Sequence, residues 1–183
     1  MNYIALLRGI NVSGKNKIPM AALKQNLEQC GFRDIWTYIQ SGNVAFNTEK
    51  PVPEKELVSL LENYIKKDFG FDVPVIIRHC TEITEIMKAD PFPDLQQTDE
   101  EKMHVTLLSE IPDPELIRKI EEKKYLPDRF VVLNREIYLF CPAGYGQTRL
   151  TNTFFESKLK VRATTRNRRT MKVIAGYCTN CLA

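Results

Sequence analysis

The sequence lacks the long apolar runs of membrane and exported proteins. Its first apolar stretch, residues 3–7, is too short for the core of a signal peptide, and no later stretch approaches the roughly 18 residues of a membrane span. No low-complexity tract interrupts the chain, and its composition is close to the globular average, which excludes collagen-like, coiled-coil and disordered proteins. We therefore expect a cytoplasmic globular protein that has no membrane partner.

Cysteine and histidine are few and scattered. The five cysteines, at positions 30, 80, 141, 178 and 181, are an odd number without an export signal, so we expect reduced thiols. Cys178 and Cys181 have the spacing of a metal knuckle or redox pair, but no second pair accompanies them, which favours a frayed tail. His79 and His104 lie at predicted strand ends, and spacing identifies no catalytic partner for either. The sequence therefore predicts no metal and no cofactor, and it assigns no catalytic residue.

Acidic residues are almost missing from the C-terminal end of the chain. Residues 144–183 contain eight basic residues and one acidic residue, a net charge of +7. The middle of the chain, residues 51–143, has a net charge of −7, so the overall +3 results from cancellation. An uncompensated basic segment is typical of proteins with anionic partners.

Hydrophobic periodicity predicts the order βαββαβ twice. In the first half the predicted strands are 3–7, 35–40, 43–46 and 73–78, and the helices follow Pro19 and Pro53. In the second half the strands are 104–108, 130–133, 137–141 and 161–164, the helices begin at Pro114 and about Thr153, and a terminal helix contains Met171 and Cys178. Thr153 and Glu156 have the spacing of a capping box.

The repeated order predicts an α+β protein of two tandem ferredoxin-like plait domains with an additional C-terminal helix. We expect the first domain at 1–82, a linker with a short helix at 83–102, and the second domain with the terminal helix at 103–183. In the hairpin of the first domain, Trp36 and Tyr38 alternate with Ile35 and Ile39, so both faces are apolar. Packing against the other half or the extra helices is favoured over a base-stacking platform.

Five segments resemble a bacterial family of unknown function, the domain-of-unknown-function family numbered 1697. They are YIALLRGINV at 3–12, NKIPM at 16–20, TYIQSGNV at 37–44, LTNTFFESKL at 150–159 and ATTRNRRT at 163–170. The resemblance implies two plait-like α+β domains and no established activity. Ser13 stands where the family pattern usually has a second glycine, and Arg168 where it usually has tryptophan, which makes the C-terminal end more basic.

The glycine-containing loop at 9–16 matches the phosphate-binding pattern G-x-x-x-x-G-K-[ST] except at its last position. Asn16 supplies no hydroxyl for magnesium, and the helix that Pro19 begins starts several residues too late, so a nucleotide-hydrolase loop is disfavoured. A looser phosphate or carboxylate site before the helix N-terminus is as well supported as a solvated basic loop. Its candidate residues are Arg8, Lys15, Asn16 and Lys17.

A second glycine loop, at 144–149, also leads from a strand to a helix, and a basic segment follows it. Such a loop can direct backbone N–H donors and a guanidinium at one anion, or it can be a plain connection. The anion-binding candidates here are Gly144, Tyr145, Gly146, Arg149, Arg162, Arg166, Arg168 and Arg169. The polar recognition candidates are Gln40, Asn43 and Asn152, although a hairpin turn needs small polar residues at 40–43 in any case.

These patterns favour a cytoplasmic binding protein for a phosphate-bearing ligand, a nucleic acid or a nucleotide, that uses the basic and glycine-rich loops. One alternative is an enzyme that acts on a small phosphorylated or anionic substrate at the domain interface, with Arg8, Lys15 and Arg149 as anion clamps and His104 as the proton carrier. Another alternative is a module that dimerises through its apolar sheet faces. The sequence fixes neither the ligand, nor a reaction, nor the oligomeric state.

Overall fold

The chain forms an α+β structure with two four-stranded antiparallel sheets. The computed structural model describes residues 1–12, 14–95 and 97–182. By spatial contact the chain divides into two compact units. The first unit contains Met1–Thr84 and the residues from Tyr177 onward, and the second contains Glu85–Gly176.

The sheet of the first unit has the strand order β2-β3-β1-β4. Its elements are β1 (Asn2–Leu7), α1 (Met20–Gln29), β2 (Arg33–Tyr38), β3 (Asn43–Asn47), α2 (Glu54–Phe69) and β4 (Val75–His79). Alternate residues of the central strand β1, namely Tyr3, Ala5 and Leu7, belong to one buried apolar cluster with Leu57 and Leu61 of α2. The apolar residues that alternate along the strand and those that recur every 3.6 residues along the helix thus pack in one core.

The sheet of the second unit has the corresponding order, β6-β7-β5-β8. Its elements are β5 (Met103–Leu108), α4 (Pro114–Arg118), β6 (Arg129–Leu133), β7 (Glu136–Phe140), α5 (Asn152–Leu159) and β8 (Ala163–Asn167), with 3-10 helices at Gln97–Lys102 and Glu122–Tyr125. Leu108, Ile137 and Leu139 pack with Phe155 and Leu159 of α5 in its core. Two further helices, α3 (Cys80–Lys88) and α6 (Arg168–Leu182), follow the last strand of each sheet. No helix among the described residues has the length and apolar character needed to cross a membrane.

Several helix ends follow the local chemistry of the sequence. Pro53 precedes α2, and Gly70 ends it in the left-handed conformation. Asp113 caps α4 by accepting a hydrogen bond from the backbone N–H of Glu115. The capping box at Thr153 was a wrong prediction, because Thr151 is the residue that lies in extended conformation and accepts from the N–H of Phe154.

The expectation that every cysteine is a free thiol was wrong. Cys80 and Cys178 form a disulfide, whereas Cys30, Cys141 and Cys181 are free. The partners are 98 residues apart in sequence, and tertiary folding brings them together. Cys178 is fully buried in α6, which continues to Leu182, so this segment is an ordered helix end and not a frayed tail.

The C-terminal turn of α6 belongs to the first unit, although the sequence placed it with the second domain. The ring of Tyr177 stacks on Trp36 of β2, with 4.5 Å between the ring centroids, and Asn2 donates a hydrogen bond to the carbonyl oxygen of Cys181. In the second unit, Tyr138 of β7 donates to the carbonyl oxygen of Ile86 in α3. At these points the extra helices cover apolar sheet residues, as the packing interpretation expects.

Candidate anion-binding site

The described residues of the first glycine loop, 9–12 and 14–17, pair as in a small hairpin. The backbone N–H of Lys15 donates to the carbonyl of Val12, and the N–H of Asn11 donates to the carbonyl of Asn16. The side chain of Asn16 donates to the carbonyl of Gly9. These donors are used within the loop, so they do not form the array of outward N–H groups that cradles a phosphate.

Asn11 holds this hairpin in place, and sequence reasoning missed its role. Its side-chain amide donates to the carbonyls of Ile18 and Gln40 at 2.9 Å each, and its oxygen accepts from the N–H of Ile18. The side chains of Lys15 and Lys17 are exposed and that of Arg8 is half-buried. The loop therefore presents exposed cations beside a turn that Asn11 anchors in the first unit.

In the polar turn at 40–43, the buried side chain of Asn43 forms hydrogen bonds within its own hairpin. Asn43 is fully buried and donates to the carbonyl of Tyr38 and the hydroxyl of Ser41. Gln40 contributes its carbonyl to Asn11, and its side chain is exposed. Asn43 is thus occupied within the hairpin, as expected for the structural interpretation of this motif.

The second glycine loop, residues 144–149, lies in the second unit and is tied to its surroundings at both ends. The Tyr145 hydroxyl donates to the hydroxyl of Thr165 in β8 at 3.0 Å. The Arg149 guanidinium donates to the carbonyl of Lys124 and lies 5.2 Å from the centre of the Tyr125 ring. Gly144 has a φ of +90°, which a glycine adopts without strain, and Gly146 is exposed. Arg149 thus has a structural role at the edge of the loop.

A network of side-chain hydrogen bonds centres on the hydroxyl of Thr165. This hydroxyl lies 2.7 Å from that of Thr106 and 2.6 Å from the side-chain oxygen of Asn152. The amide oxygen only accepts, so Thr165 donates to Asn152 and accepts from Thr106 and Tyr145, which uses its whole hydrogen-bonding capacity. The network holds two predicted site residues, Tyr145 and Asn152, close to one hydroxyl. They are 7 positions apart in sequence, and Asn152 begins α5.

His104 lies beside this network, with its ring stacked on Tyr145 at a centroid distance of 4.9 Å. Its Nδ1 lies 3.2 Å from the carbonyl oxygen of Lys102, and since a carbonyl only accepts, Nδ1 carries the proton. Burial lowers the pKa of His104 below its usual value of 6.5, against a smaller opposing effect of the Lys102 carbonyl. At neutral pH the ring is therefore uncharged, and its Nε2 holds a lone pair.

We expect this lowered pKa to appear in the pH dependence of stability. Below about pH 6.5 the unfolded chain takes up a proton at His104 that the folded protein resists, so stability falls as the pH decreases. His104→Gln removes this contribution. The difference in unfolding free energy between wild type and variant, measured by urea denaturation, should therefore shrink from pH 8 to pH 5. A difference that stays constant or grows over this range would show that the pKa is not lowered.

The basic segment that follows the second glycine loop has an acidic neighbour in the folded protein, although no acidic residue lies between Arg162 and Lys172 in the sequence. Glu100, from the 3-10 helix at Gln97–Lys102, forms ion pairs with Lys172 and, at 3.5 Å, with Arg168. Lys172 and Arg168 lower the pKa of the Glu100 carboxyl, with the Lys172 hydrogen bond as the main cause. Arg162 and Arg169 are exposed. Of the arginines predicted in this segment, two remain open to solvent.

Arg166 is buried inside the second unit, which does not fit a role on the surface. Its guanidinium donates to the hydroxyl of Thr164 and the carbonyl of Thr165, and burial lowers its pKa to about 10. Arg78 occupies the same fourth position of β4 in the first unit; it is also buried and donates to a backbone carbonyl, that of Ile77. The repeated position indicates a structural role for both arginines.

A small recess opens at the same end of the second sheet. Its lining residues are Pro91, Phe92, Met103, His104, Val105, Tyr138, Leu139 and Arg168, and it has room for about one water molecule. The Nε of Arg168 is buried and lies 3.5 Å from a carboxylate oxygen of Glu100, longer than a normal hydrogen bond.

We use one name, the polar edge, for six residues around the end of β5 and β8 where His104 pairs with Asn167: His104, Tyr145, Asn152, Thr165, Asn167 and Arg168. His104 and Asn167 are cross-strand partners in β5 and β8, and Asn167 caps α6 by accepting from the N–H of Thr170. The helix α5 begins beside Thr165, and α6 begins at Arg168. Two helix N-termini, each with a positive potential, therefore lie near this end of β8.

The predicted candidates are divided between the two units. Arg8, Lys15, Asn16, Lys17, Gln40 and Asn43 belong to the first unit, and Gly144, Tyr145, Gly146, Arg149, Asn152, Arg162, Arg166, Arg168 and Arg169 belong to the second. Sequence reasoning missed Thr165, Thr106 and Glu100, for which strand position and linker composition gave no functional signal. Among the described residues, no three metal-ligating side chains lie close enough together to hold a metal ion.

Comparisons with known proteins agree on a family and a fold. The family model described as a protein of unknown function, DUF1697, matches residues 1–138. The solved structure of the conserved bacterial protein SP0830 from Streptococcus pneumoniae is similar, with a TM-score of 0.74 and 23% identity over 97% of this chain and 98% of that chain. At this identity the likeness establishes the fold alone. No curated protein matches the chain.

Proposed function

We propose that this chain, which belongs to the DUF1697 family of proteins of unknown function, binds a small phosphate-bearing ligand such as a nucleotide at the polar edge. The observation that carries the proposal is the position of two arginines, Arg168 and Arg169, in the first turn of α6. Cations in this position oppose the helix dipole, and a bound anion offsets that cost.

The local charge balance supports an anion at this position. Arg168 and Lys172 share the single carboxylate of Glu100, and Arg169 has no ion-pair partner among the described residues. The buried Nε–H of Arg168 lies 3.5 Å from that carboxylate, longer than a normal hydrogen bond. A phosphate oxygen would accept from a guanidinium and would lie near two helix N-termini, the combination that proteins commonly use for phosphate.

A small ligand fits this surface better than a long nucleic acid does. Tight binding to a nucleic acid needs many exposed cations, because each phosphate contact adds to the affinity through counterion release. Within the basic segment, Arg166 is buried, Arg168 and Lys172 are paired with Glu100, and Arg162 and Arg169 are exposed. Arg162 precedes β8 and Arg169 follows it, so one exposed arginine of this segment lies at the polar edge, which suits one phosphate group.

A second candidate function is catalysis on such a ligand. Neutral His104, with Nδ1–H directed at the Lys102 carbonyl, has a lone pair on Nε2 that can accept a proton, and it lines the recess beside Arg168.

We also propose that each unit is a ferredoxin-like plait. The support is the order βαββαβ in the sequence together with the spatial strand order 2-3-1-4 in each sheet.

The test compares two exposed cations of the second unit. Thermal shift with AMP, ATP and a single-stranded DNA oligonucleotide identifies the ligand class, and titration then gives the affinity. We expect Arg169→Ala to weaken nucleotide binding about tenfold, because a charged hydrogen bond contributes about 1.5 kcal/mol. Lys158→Ala, at the opposite end of α5, is the matched control and should bind as wild type does.

The outcomes separate the candidates. Equal loss of affinity in both variants, or no thermal shift with any nucleotide, contradicts the proposed site. Binding of the oligonucleotide alone, with a steep dependence on salt, favours the nucleic-acid alternative. Turnover of a bound nucleotide that His104→Gln abolishes favours the enzyme.

A further inference from the structure

The first unit contains a ladder of three aromatic rings that the proposed function does not use. Trp36 and Tyr38 lie on the same face of β2, with centroids 5.8 Å apart and planes 6° from parallel. Tyr177 of α6 stacks on the other side of Trp36 at 4.5 Å and 12°. All three side chains are half-buried. Trp36 thus presents a flat face that accepts a planar ring.

Tyr177 also makes a polar contact that defines the chemistry of this face. Its hydroxyl, at the far edge of the ring, donates to the backbone carbonyl of Asp34 at 3.3 Å. Burial, with a smaller effect of the nearby Cys181 thiol, raises the pKa of Tyr177 above its usual value, so the hydroxyl stays protonated as a donor. The position therefore selects a planar aromatic ring with a hydrogen-bond donor at its outer edge.

The disulfide fastens Tyr177 over Trp36. Cys178, the next residue, is bonded to Cys80 at the start of α3, and both are buried. Beyond the disulfide, this last turn of α6 is held by the ring stack, the Asp34 contact and a hydrogen bond from Asn2 to the Cys181 carbonyl. Terminal helix turns open at little cost, and the covalent bond is the restraint on this turn that reduction removes.

We propose that Trp36 forms, on its face away from Tyr38, a stacking site for a nucleobase, which the chain's own Tyr177 covers while the Cys80–Cys178 disulfide is intact and uncovers when the disulfide is reduced. Nucleobases match the position because they are planar and have N–H donors at their edges. Stacking on an aromatic side chain contributes about 1–3 kcal/mol per base. The proposal rests on residues of the first unit and is independent of the polar edge.

Reduction proceeds by thiol–disulfide exchange with an external dithiol. Its thiolate attacks one sulfur of the Cys80–Cys178 bond and forms a mixed disulfide, which releases the other cysteine as a thiolate that takes up a proton. The second thiol of the reductant then attacks the mixed disulfide, so both cysteines end as thiols and the reductant as a disulfide. In the cytoplasmic location expected from the sequence, disulfides are usually transient or redox-sensing.

The experiment uses the fluorescence of Trp36, the one tryptophan of the sequence. The probe is adenosine, which has no phosphate and so does not report on the polar edge. In the oxidised protein we expect weak quenching by adenosine. After treatment with dithiothreitol, Trp36 emission should shift as Tyr177 leaves. Adenosine should then bind roughly tenfold more tightly, which corresponds to a site that Tyr177 covers about 90% of the time in the oxidised protein.

Two variants separate the cover from the redox state. Tyr177→Ala removes the cover and leaves the disulfide, so it should bind adenosine without reductant as tightly as the reduced wild type does. Cys178→Ala should bind adenosine as tightly as the reduced wild type does, both with and without dithiothreitol. Cys30→Ala removes a free cysteine that takes no part in the disulfide, and it should behave as wild type. Unchanged Trp36 emission on full reduction, or folded Tyr177→Ala that binds adenosine no better than the oxidised wild type, would overturn the proposal.

Discussion

Gly42→Ala is expected to destabilise the first unit by about 3 kcal/mol. Gly42 has a φ of +76°, where a residue with a Cβ is strained by about 1–2 kcal/mol. An added Cβ would also lie 2.7 Å from the Cβ of Leu7 and 2.9 Å from the Cδ1 of Ile10, both of them buried. Overpacking of this kind costs about 1–3 kcal/mol more, because the core cannot move aside without cost.

A second glycine of the same unit isolates the steric part of this effect. Gly31, after α1, has a φ of +88°, and an added Cβ would meet nothing within 4 Å. Gly31→Ala should therefore cost about 1 kcal/mol, the conformational penalty alone. Urea denaturation monitored by Trp36 fluorescence measures both variants. Equal destabilisation by the two substitutions would show that the close approach at Gly42 relaxes freely.

The helices of both units were predictable because their ends have local chemical signals. Pro53 and Gly70 bound α2, and Asp113 caps α4, through contacts within a few residues of sequence. The strand β8 was predicted too early, at 161–164, because its observed residues Ala163–Asn167 are mostly polar and show no apolar alternation. Thr164 and Arg166 are buried, and Thr165 makes hydrogen bonds to residues distant in sequence, none of which leaves a periodic apolar pattern.

The candidate site was only partly predictable for the same reason. Tyr145 and Asn152 are close in sequence, and the structure joins them through Thr165. The carboxylate that pairs with the basic segment, Glu100, is 72 residues from Lys172 and lay in a stretch interpreted as a linker. A run of cations predicts an anionic partner, but sequence alone does not show whether that partner is a ligand or the chain itself.

The disulfide between Cys80 and Cys178 is expected to be the largest single contribution to stability among the residues discussed. It closes a loop over a sequence separation of 98 residues, and cross-linking a chain over about 100 residues removes unfolded-state entropy worth about 4–5 kcal/mol. Dithiothreitol should therefore lower the unfolding free energy of the wild type by nearly this amount. Cys178→Ala should be destabilised at the outset and insensitive to dithiothreitol.

A thiol count decides whether the bond is present before stability is measured. In denaturant without reductant, the protein should show three reactive thiols, those of Cys30, Cys141 and Cys181, and five after reduction. Burial raises the pKa of Cys141 to about 11 in the folded protein, so its thiol should react slowly until the chain unfolds. Five thiols before reduction would exclude the disulfide. Three thiols combined with an unchanged unfolding free energy on reduction would show that the bond does not constrain the unfolded chain.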